Sequence, residues 1–136
     1  MSLEELAVVR QLLAGLVTGE ARSLEDFRTS YDEAGKAFGL PEGVTVTPVS
    51  AGGVPGEWLA PAAGAGKRVL LYLHGGGYAL GSLDSHRHLA ARAALALKGR
   101  VLLIDYRRSP EHPFPAAVDD ALAAYRWLIE TGVDPA

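Results

Sequence analysis

Cysteine is absent from the 136-residue sequence. Its absence excludes disulfide bonds, thiolate metal sites and a cysteine nucleophile. His86 and His88 are close in sequence, but a spacing of two directs them to different faces of a helix. We therefore expect no metal site and no cofactor.

Positive charge and long apolar runs are also scarce. The 13 basic and 16 acidic residues give a net charge of −3, without the basic excess of a nucleic-acid binder. The longest strongly apolar runs have about five residues, far short of the roughly 18 that cross a bilayer. Glu4 and Glu5 make the N-terminus acidic, whereas a signal peptide opens with positive charge. We expect a soluble, cytoplasmic protein with no nucleic-acid partner and no membrane span.

Apolar residues recur first with the period of helices and later with that of strands. Two amphipathic helices are predicted before residue 41, one ending near Gly19 and one beginning at Ser23, with Asp26 as its capping-box partner. Short apolar runs bounded by turn residues then indicate strands. The later predicted elements are a hairpin with strands near 44–49 and 57–60, strands at 68–73 and 100–104, and helices at 85–97 and 115–131.

This β-α-β-α order predicts an α/β fold with a mainly parallel sheet flanked by helices. The strands 68–73 and 100–104 are almost wholly apolar, as strands buried on both faces are. Asp84 is the predicted N-cap of the helix that follows it. The apolar residues predicted to share one face of the last helix are Val118, Leu122, Tyr125, Leu128 and Ile129.

Strand 68–73 runs directly into His74-Gly75-Gly76-Gly77-Tyr78. Three successive glycines let the backbone turn sharply and bring amide N–H groups together. In acyl transfer, such donors stabilise the oxyanion of the tetrahedral intermediate. An HGGG loop placed after a strand is an oxyanion-hole element of lipases and esterases.

The chain from this loop onward resembles one enzyme family. The runs HGGGYALGSLDSHRHLAARAA (74–94) and RVLLIDYRRSPEHPFPAAVDDALAAYRWL (100–128) are similar to the hormone-sensitive lipase family of esterases. The resemblance implies an α/β-hydrolase fold and a small-molecule ester as substrate. It also implies that residues 1–40 form a helical cap region and residues 41–136 the N-terminal half of the catalytic domain.

The resemblance further implies a role for each residue of the loop. Gly76 and Gly77 would supply the amides of the oxyanion hole, and Gly75 would give the loop its turn. His74 would brace the loop rather than act as a general base. Tyr78 is expected to line the substrate pocket.

A second motif of the family, mainly architectural, is matched by Asp105, Tyr106, Arg107, Pro110 and Glu111. Within it, Arg108 and Ser109 stand where the family more usually has Leu and Ala. The local packing at these two positions is therefore left open.

The catalytic serine of the family lies in a G-x-S-x-G elbow, with an acid and a histidine later in the chain. No serine of this sequence lies in that pattern, and the resemblance places the elbow just after Ala136. We therefore expect a truncated chain that lacks the nucleophile, acid and base and is inactive alone. Strand 68–73 would then be an unpaired apolar edge, which favours self-association or binding of a complementary C-terminal segment.

Two other functions stay open. The chain could be a non-catalytic ligand-binding module or an inactive fragment that keeps the pocket without hydrolysis. A nucleotide-binding α/β domain is the remote alternative, since Gly75, Gly77 and Gly81 follow a strand and Asp105 ends the next one. Their G-x-G-x-x-x-G spacing, and the residues between these glycines and the next helix, disfavour a dinucleotide site.

Overall fold

A computed structural model describes residues 3–17 and 23–135 of the chain. The elements are helices α1 (Leu3–Val17) and α2 (Leu24–Lys36), strands β1 (Val44–Ala51), β2 (Val54–Pro61) and β3 (Val69–Leu73), helix α3 (Leu83–Leu97), strand β4 (Arg100–Ile104) and helix α4 (Ala116–Glu130). This order confirms the predicted alternation of helices and strands. The predicted end of the first helix at Gly19 lies outside the described residues.

Serine side chains begin two of the helices. Ser23 caps α2 as predicted, because its hydroxyl accepts from the amide of Asp26 and the Asp26 carboxylate accepts from the amide of Ser23. The prediction that Asp84 caps α3 is wrong. Ser82 takes that position, because its hydroxyl accepts from the amides of Asp84 and Ser85. In return, the Ser85 hydroxyl accepts from the amide of Ser82. Asp84 lies in the first turn instead.

The four strands form one mixed sheet in the order β1-β2-β4-β3. β1 and β2 form the predicted hairpin, with Thr47 opposite Trp58. β2 pairs antiparallel with β4, and β4 pairs parallel with β3 through the α3 crossover. The α/β fold is confirmed, but a mainly parallel sheet is not what the described strands form. Only the β3–β4 pair among them is parallel, because the hairpin joins the sheet with β2 running opposite to β4.

The core lies on both faces of β4. Leu102 and Ile104 point to one face, where they pack with Leu128 of α4. Val101 and Leu103 point to the other face, where they pack against the alanine-rich side of α3. Fully burying a residue of this size stabilises the fold by roughly 1.5–3 kcal/mol. β4 therefore contributes strongly to the stability of the sheet and holds α3 and α4 on opposite sides of it.

β3 is the edge of the described sheet, since only its β4 side is paired. Leu70 and Leu73 remain 39% and 48% exposed. This differs from β4, whose last four residues are all buried. The expectation that strand 68–73 is buried on both faces is therefore wrong for β3, because an edge strand of the described sheet has fewer neighbouring side chains over its faces than the central β4.

The apolar residues of α4 do not all face the sheet. The buried residues of the helix are spaced four apart and include one acidic side chain, namely Ala116, Asp120, Ala124 and Leu128. The other predicted members of the apolar face stay partly exposed, namely Val118, Leu122, Tyr125 and Ile129. Tyr125 and Ile129 instead line a groove beside Val69 and Leu71 of β3, here named the β3–α4 groove.

Helix α2 packs against the start of α3. Gly35 approaches Ser85 so closely that a Cβ at this position would lie 2.4 Å from the Ser85 Cα. The hydroxyl of Ser82 donates to the carboxylate of Asp32 at 2.6 Å. These contacts place α2 beside the loop that follows β3. Among residues 3–17 and 23–135, no helix has the length and hydropathy needed to cross a bilayer.

Candidate active site

The loop from His74 to Gly81, here named the HGGG loop, follows β3 and folds back on itself. The carbonyl of Gly76 accepts from the amide of Leu80 at 2.8 Å. Gly76 has a φ of 125°, and a Cβ there would lie 2.2 Å from the carbonyl oxygen of Leu80. Gly81 has a φ of 86°, and a Cβ there would lie 2.2 Å from the carbonyl oxygen of Gly75. Both positions therefore require glycine.

The three glycine amides that follow His74 differ in their partners. The N–H of Gly75 donates to Nε2 of His86 at 3.3 Å. Within the described part of the chain, the N–H groups of Gly76 and Gly77 donate to no protein acceptor. All three glycines line an open cleft of about 460 Å³. Two unpaired donors at a cleft are what the stabilisation of an oxyanion requires.

Most of the remaining cleft wall is apolar or aromatic. The residues that form it are Leu73, Tyr78, Tyr106, Ala117, Val118 and Ala121. A mostly apolar cleft with a few polar groups at one end is typical of small-molecule sites.

His74 lies beneath the loop and is only 3% exposed. Its ring stacks on that of Tyr106, with the centroids 4.1 Å apart, and the Tyr106 hydroxyl donates to the carbonyl of His74 at 2.6 Å. The His74 Nδ1 lies 3.0 Å from the carbonyl oxygen of Gly75, so this nitrogen carries a proton. These contacts support the predicted role of His74 as a brace.

His74 also faces Asp105, but the two do not form a salt bridge. Burial lowers the pKa of His74 and raises the pKa of Asp105, so it disfavours the charged form of each side chain. Nε2 of His74 lies 3.9 Å from Oδ1 of Asp105, which is too far for a hydrogen bond. Neither atom has another partner among the described residues.

Tyr78 lies at the mouth of the cleft, where its side chain is 62% exposed. Its φ is 60°, and its carbonyl accepts from the amide of Ser109 at 2.8 Å, which holds this left-handed residue in place. Tyr78 also lines a second pocket of about 190 Å³, together with Phe114 and Pro115. This position supports the predicted contact between Tyr78 and a substrate.

The residues of the second motif surround the base of the HGGG loop. Arg107 forms an ion pair with Asp120 of α4 at 2.7 Å. At the two positions that depart from the family pattern, the Arg108 side chain donates to the carbonyl of Gly81, whereas Ser109 donates to the carbonyl of Tyr78 only through its backbone amide. The arginine at position 108 therefore adds a side-chain contact to the loop, while the bond from Ser109 does not depend on its side chain.

Three side chains whose contribution the sequence did not indicate hold the HGGG loop from outside. Arg28 of α2 donates to the carbonyl of Ala79 at 2.8 Å. Arg108 donates to the carbonyl of Gly81, and His86 of α3 accepts a hydrogen bond from the amide of Gly75. An arginine on an amphipathic helix is typical of a solvated face, so no local signal marks Arg28. Arg108 was marked only by its departure from the family pattern.

One serine and one histidine are in contact, but they do not form a catalytic pair. Oγ of Ser85 lies 2.9 Å from Nδ1 of His86. Ser85 is buried, and its hydroxyl also bonds to the amide and the carbonyl of Ser82. This serine therefore completes the capping box of α3 with Ser82 and is not available as a nucleophile.

The geometry does not favour a dinucleotide site. The amides of Asp84 and Ser85 at the start of α3 already donate to the Ser82 hydroxyl, so they are not free for a pyrophosphate. Among residues 3–17 and 23–135, no cluster of three or more His, Cys, Asp or Glu side chains could hold a metal ion.

Comparisons with known proteins agree with this geometry. A family model described as alpha/beta hydrolase fold matches residues 70–136. The chain is 48% identical over 138 residues to an acetyl-hydrolase from Streptomyces hygroscopicus, an alignment that covers 99% of this chain and 45% of that protein. It matches the crystal structure of an esterase from the bacterial hormone-sensitive lipase family with a TM-score of 0.91 and 37% identity, over 99% of this chain and 46% of that one.

The chain belongs to the hormone-sensitive lipase family of α/β-hydrolases. This confirms the resemblance inferred from the HGGG loop and the second motif. The chain is also 54% identical over 61 residues to an ethyl acetate hydrolase from Pseudomonas putida, a shorter match that covers 45% of this chain and 19% of that protein. The chain spans about half the length of the acetyl-hydrolase and of the solved esterase. The roles of the individual loop residues stay predictions.

Proposed function

We propose that this chain supplies the oxyanion-binding part of a carboxylic ester hydrolase of the serine type. The observation that carries the proposal is that the amides of Gly76 and Gly77, at the cleft, have no acceptor among the described residues. When a serine attacks an ester carbonyl, the carbonyl oxygen gains negative charge in the tetrahedral intermediate. Donors already aimed at that oxygen stabilise the charge without reorganising, and removing one typically costs about 10²–10³ in rate.

The substrate is a small-molecule ester with a short acyl group. Two relatives are named acetyl-hydrolase and ethyl acetate hydrolase, which supports this chain length. A cleft of about 460 Å³ is large enough for such an ester. The carbon chain of the ester would lie against Leu73, Tyr78 and Val118, while its carbonyl oxygen faces the glycine amides.

Turnover also needs a nucleophile, an acid and a base, which we assign to a complementary C-terminal segment that pairs with β3. The free side of β3 carries backbone N–H and C=O groups that pair with no other strand of the described chain, and two partly exposed leucines, Leu70 and Leu73. The β3–α4 groove adds further apolar surface beside this edge. Such an edge recruits another strand, and self-association of the chain through it is the competing outcome.

A second candidate function is ligand binding without turnover. It is favoured by one observation: the cleft and its two amide donors are formed by residues of this chain, whose sequence has no G-x-S-x-G elbow. In that case a carbonyl compound would bind in the cleft and be released unchanged.

Hydrolysis of p-nitrophenyl acetate separates the two functions. The purified chain should show no turnover. A chimera that joins this chain to the unaligned part of the Streptomyces hygroscopicus acetyl-hydrolase should hydrolyse the ester. Rapid turnover by the 136-residue chain alone, with its intact mass verified, would refute the assignment of the nucleophile to another segment.

Variants of the chimera test the role of the loop itself. Replacing Gly76 with Ala should lower kcat by about 10²-fold or more, because it displaces an oxyanion donor. The matched control is Arg126→Ala, an exposed position on α4, which should leave kcat unchanged. Equal kcat values for the Gly76→Ala chimera and the control would contradict the proposal.

Two further predictions from the sequence are kept as part of this proposal. The first divides the chain into a helical cap region at 1–40 and half of a catalytic domain at 41–136, which limited proteolysis can test. The second is a cytoplasmic location, which fractionation of the producing cells can test.

A further inference from the structure

His86 lies in the first turn of α3, with its ring enclosed by other aromatic rings. The ring centroids of His74, Tyr31 and Tyr72 lie 5.5, 5.8 and 6.1 Å from that of His86. These three residues belong to the HGGG loop, to α2 and to β3. The orientation of the His86 ring is therefore set from three elements at once.

The hydrogen bonds around His86 assign its protonation state. The amide of Gly75 can only donate, so Nε2 must offer a lone pair to it. The Ser85 hydroxyl donates to the carbonyl of Ser82 and accepts from the amide of Ser82. It retains one lone pair, which suits a proton on Nδ1 of His86, 2.9 Å away. The site thus accommodates the neutral ring with its proton on Nδ1.

The contact with His86 makes the first of the three glycine amides of the HGGG loop different from the other two. The amide of Gly75 is directed to His86, while those of Gly76 and Gly77 have no acceptor among the described residues. We propose that His86 is a positioning residue for ester hydrolysis: its neutral Nε2 fixes the first glycine of the loop and thereby orients the two amides that follow it. This inference rests on the proposed function, because it assigns a purpose to the free amides.

The surroundings of His86 favour the neutral ring. Burial lowers the pKa of His86, and the neighbouring His74 and His88 lower it further, while Asp32 of α2 opposes them. A protonated ring would direct an N–H toward the N–H of Gly75 and break the contact. The titratable groups in ring contact with His86 are Tyr31 of α2, Tyr72 of β3 and His74 of the HGGG loop. Asp32 of α2 and His88 of α3 act on it through their charges.

The first test uses the unsubstituted chain and needs no activity. Nitrogen–proton NMR correlations of the histidine rings should show His86 with its proton on Nδ1 at neutral pH. Acidification should move the Gly75 amide signal together with the titration of His86. A proton on Nε2, or a Gly75 amide signal that does not move during the titration of His86, would overturn the inference.

The second test compares kinetics in the chimera described above. His86→Phe keeps an aromatic ring but removes the acceptor, and should lower kcat by about 10- to 100-fold with little change in KM. His86→Gln offers an acceptor at the end of a side chain of similar reach, and should recover part of that loss. The matched control is His88→Phe, because His88 stacks on Phe38 and lies outside the cleft lining. Equal kcat values for His86→Phe and His88→Phe would overturn the inference.

The two tests also separate this inference from the proposed function. If the unsubstituted chimera hydrolyses no ester, the proposed function fails, and the NMR result still decides whether His86 holds Gly75. If the chimera is active and His86→Phe is as active as the control, His86 is a structural residue only.

Discussion

Arg28 and Glu111 are 83 positions apart in sequence and form a two-point ion pair, with nitrogen–oxygen distances of 2.7 and 2.8 Å. The same guanidinium donates to the carbonyl of Ala79 in the HGGG loop and to that of Ser109 in the second motif. One side chain of α2 therefore joins three separate segments. This makes α2 a support of the candidate site.

Replacing Arg28 with Ala should lower the free energy of unfolding by about 2–3 kcal/mol, because it leaves two carbonyls without a charged donor. Arg28→Lys should recover part of the loss, since an ammonium keeps the charge but not the planar fork that reaches all three acceptors. Urea denaturation measures both effects. The exposed control Arg126→Ala should change the value by less than about 0.5 kcal/mol, and an equally small effect of Arg28→Ala would refute the supporting role.

Gly76 and Gly77 should respond differently to alanine. At Gly76, a Cβ overlaps the carbonyl of Leu80, and φ is 125°, so Gly76→Ala should cost about 3 kcal/mol or more of stability. At Gly77, φ is 61° and no atom lies within 4 Å of the added Cβ, so Gly77→Ala should cost only about 1 kcal/mol. Thermal unfolding of the two variants compares them directly. Equal losses would mean that the loop relaxes around Gly76 or that its backbone differs from that described.

Local patterns predicted most of the fold. β4 is recognisable because Val101–Ile104 are all apolar and all buried between two helices. The hairpin is recognisable from Gly52-Gly53, both of which have positive φ. Strand pairing was harder to predict, since the antiparallel contact between β2 and β4 joins segments more than forty residues apart. Both Ser82 and Asp84 suit an N-cap, and Ser82 takes it because Ser85 completes a capping box with it.

The sequence predicted the centre of the site better than its surroundings. The HGGG loop is marked by four successive residues that directly follow an apolar strand. The groups that hold this loop come from distant segments, as Arg28 does, and have no local signature. His86 likewise has no local signature, because its contact with Gly75 spans eleven positions and arises from the folding of α3 onto the end of β3.

Acidification should destabilise the fold through its buried histidines. Burial lowers the pKa of His74, His86 and His88 below the ordinary value of 6.5. The unfolded chain then binds more protons than the folded chain below about pH 6.5, so stability is full above this pH and falls as the pH decreases toward the folded pKa values. The effect of Asp105 on the stability has the opposite sign, because its raised pKa favours the folded state on acidification.

Urea denaturation at several values between about pH 7.5 and about pH 5 measures the slope of the unfolding free energy against pH. His86→Phe should flatten it, because one of the three groups no longer titrates. An unfolding free energy that is constant over this range, or that rises as the pH falls, would contradict the assignment of neutral buried histidines.

The free edge of β3 should make the chain self-associate. Leu70 is exposed on this edge, and Ile129 lines the β3–α4 groove beside it, so Leu70→Lys and Ile129→Lys place a charge where a second strand or helix would pack. Both substitutions should shift the mass measured by light scattering toward the monomer without lowering the unfolding temperature. Leu40→Lys is the matched control, since Leu40 is an exposed leucine in the connection between α2 and β1 and should leave the mass distribution unchanged. A monodisperse monomer of the unsubstituted chain at all concentrations would show that this edge is protected in another way, and the proposed pairing with a complementary segment would lose its main support.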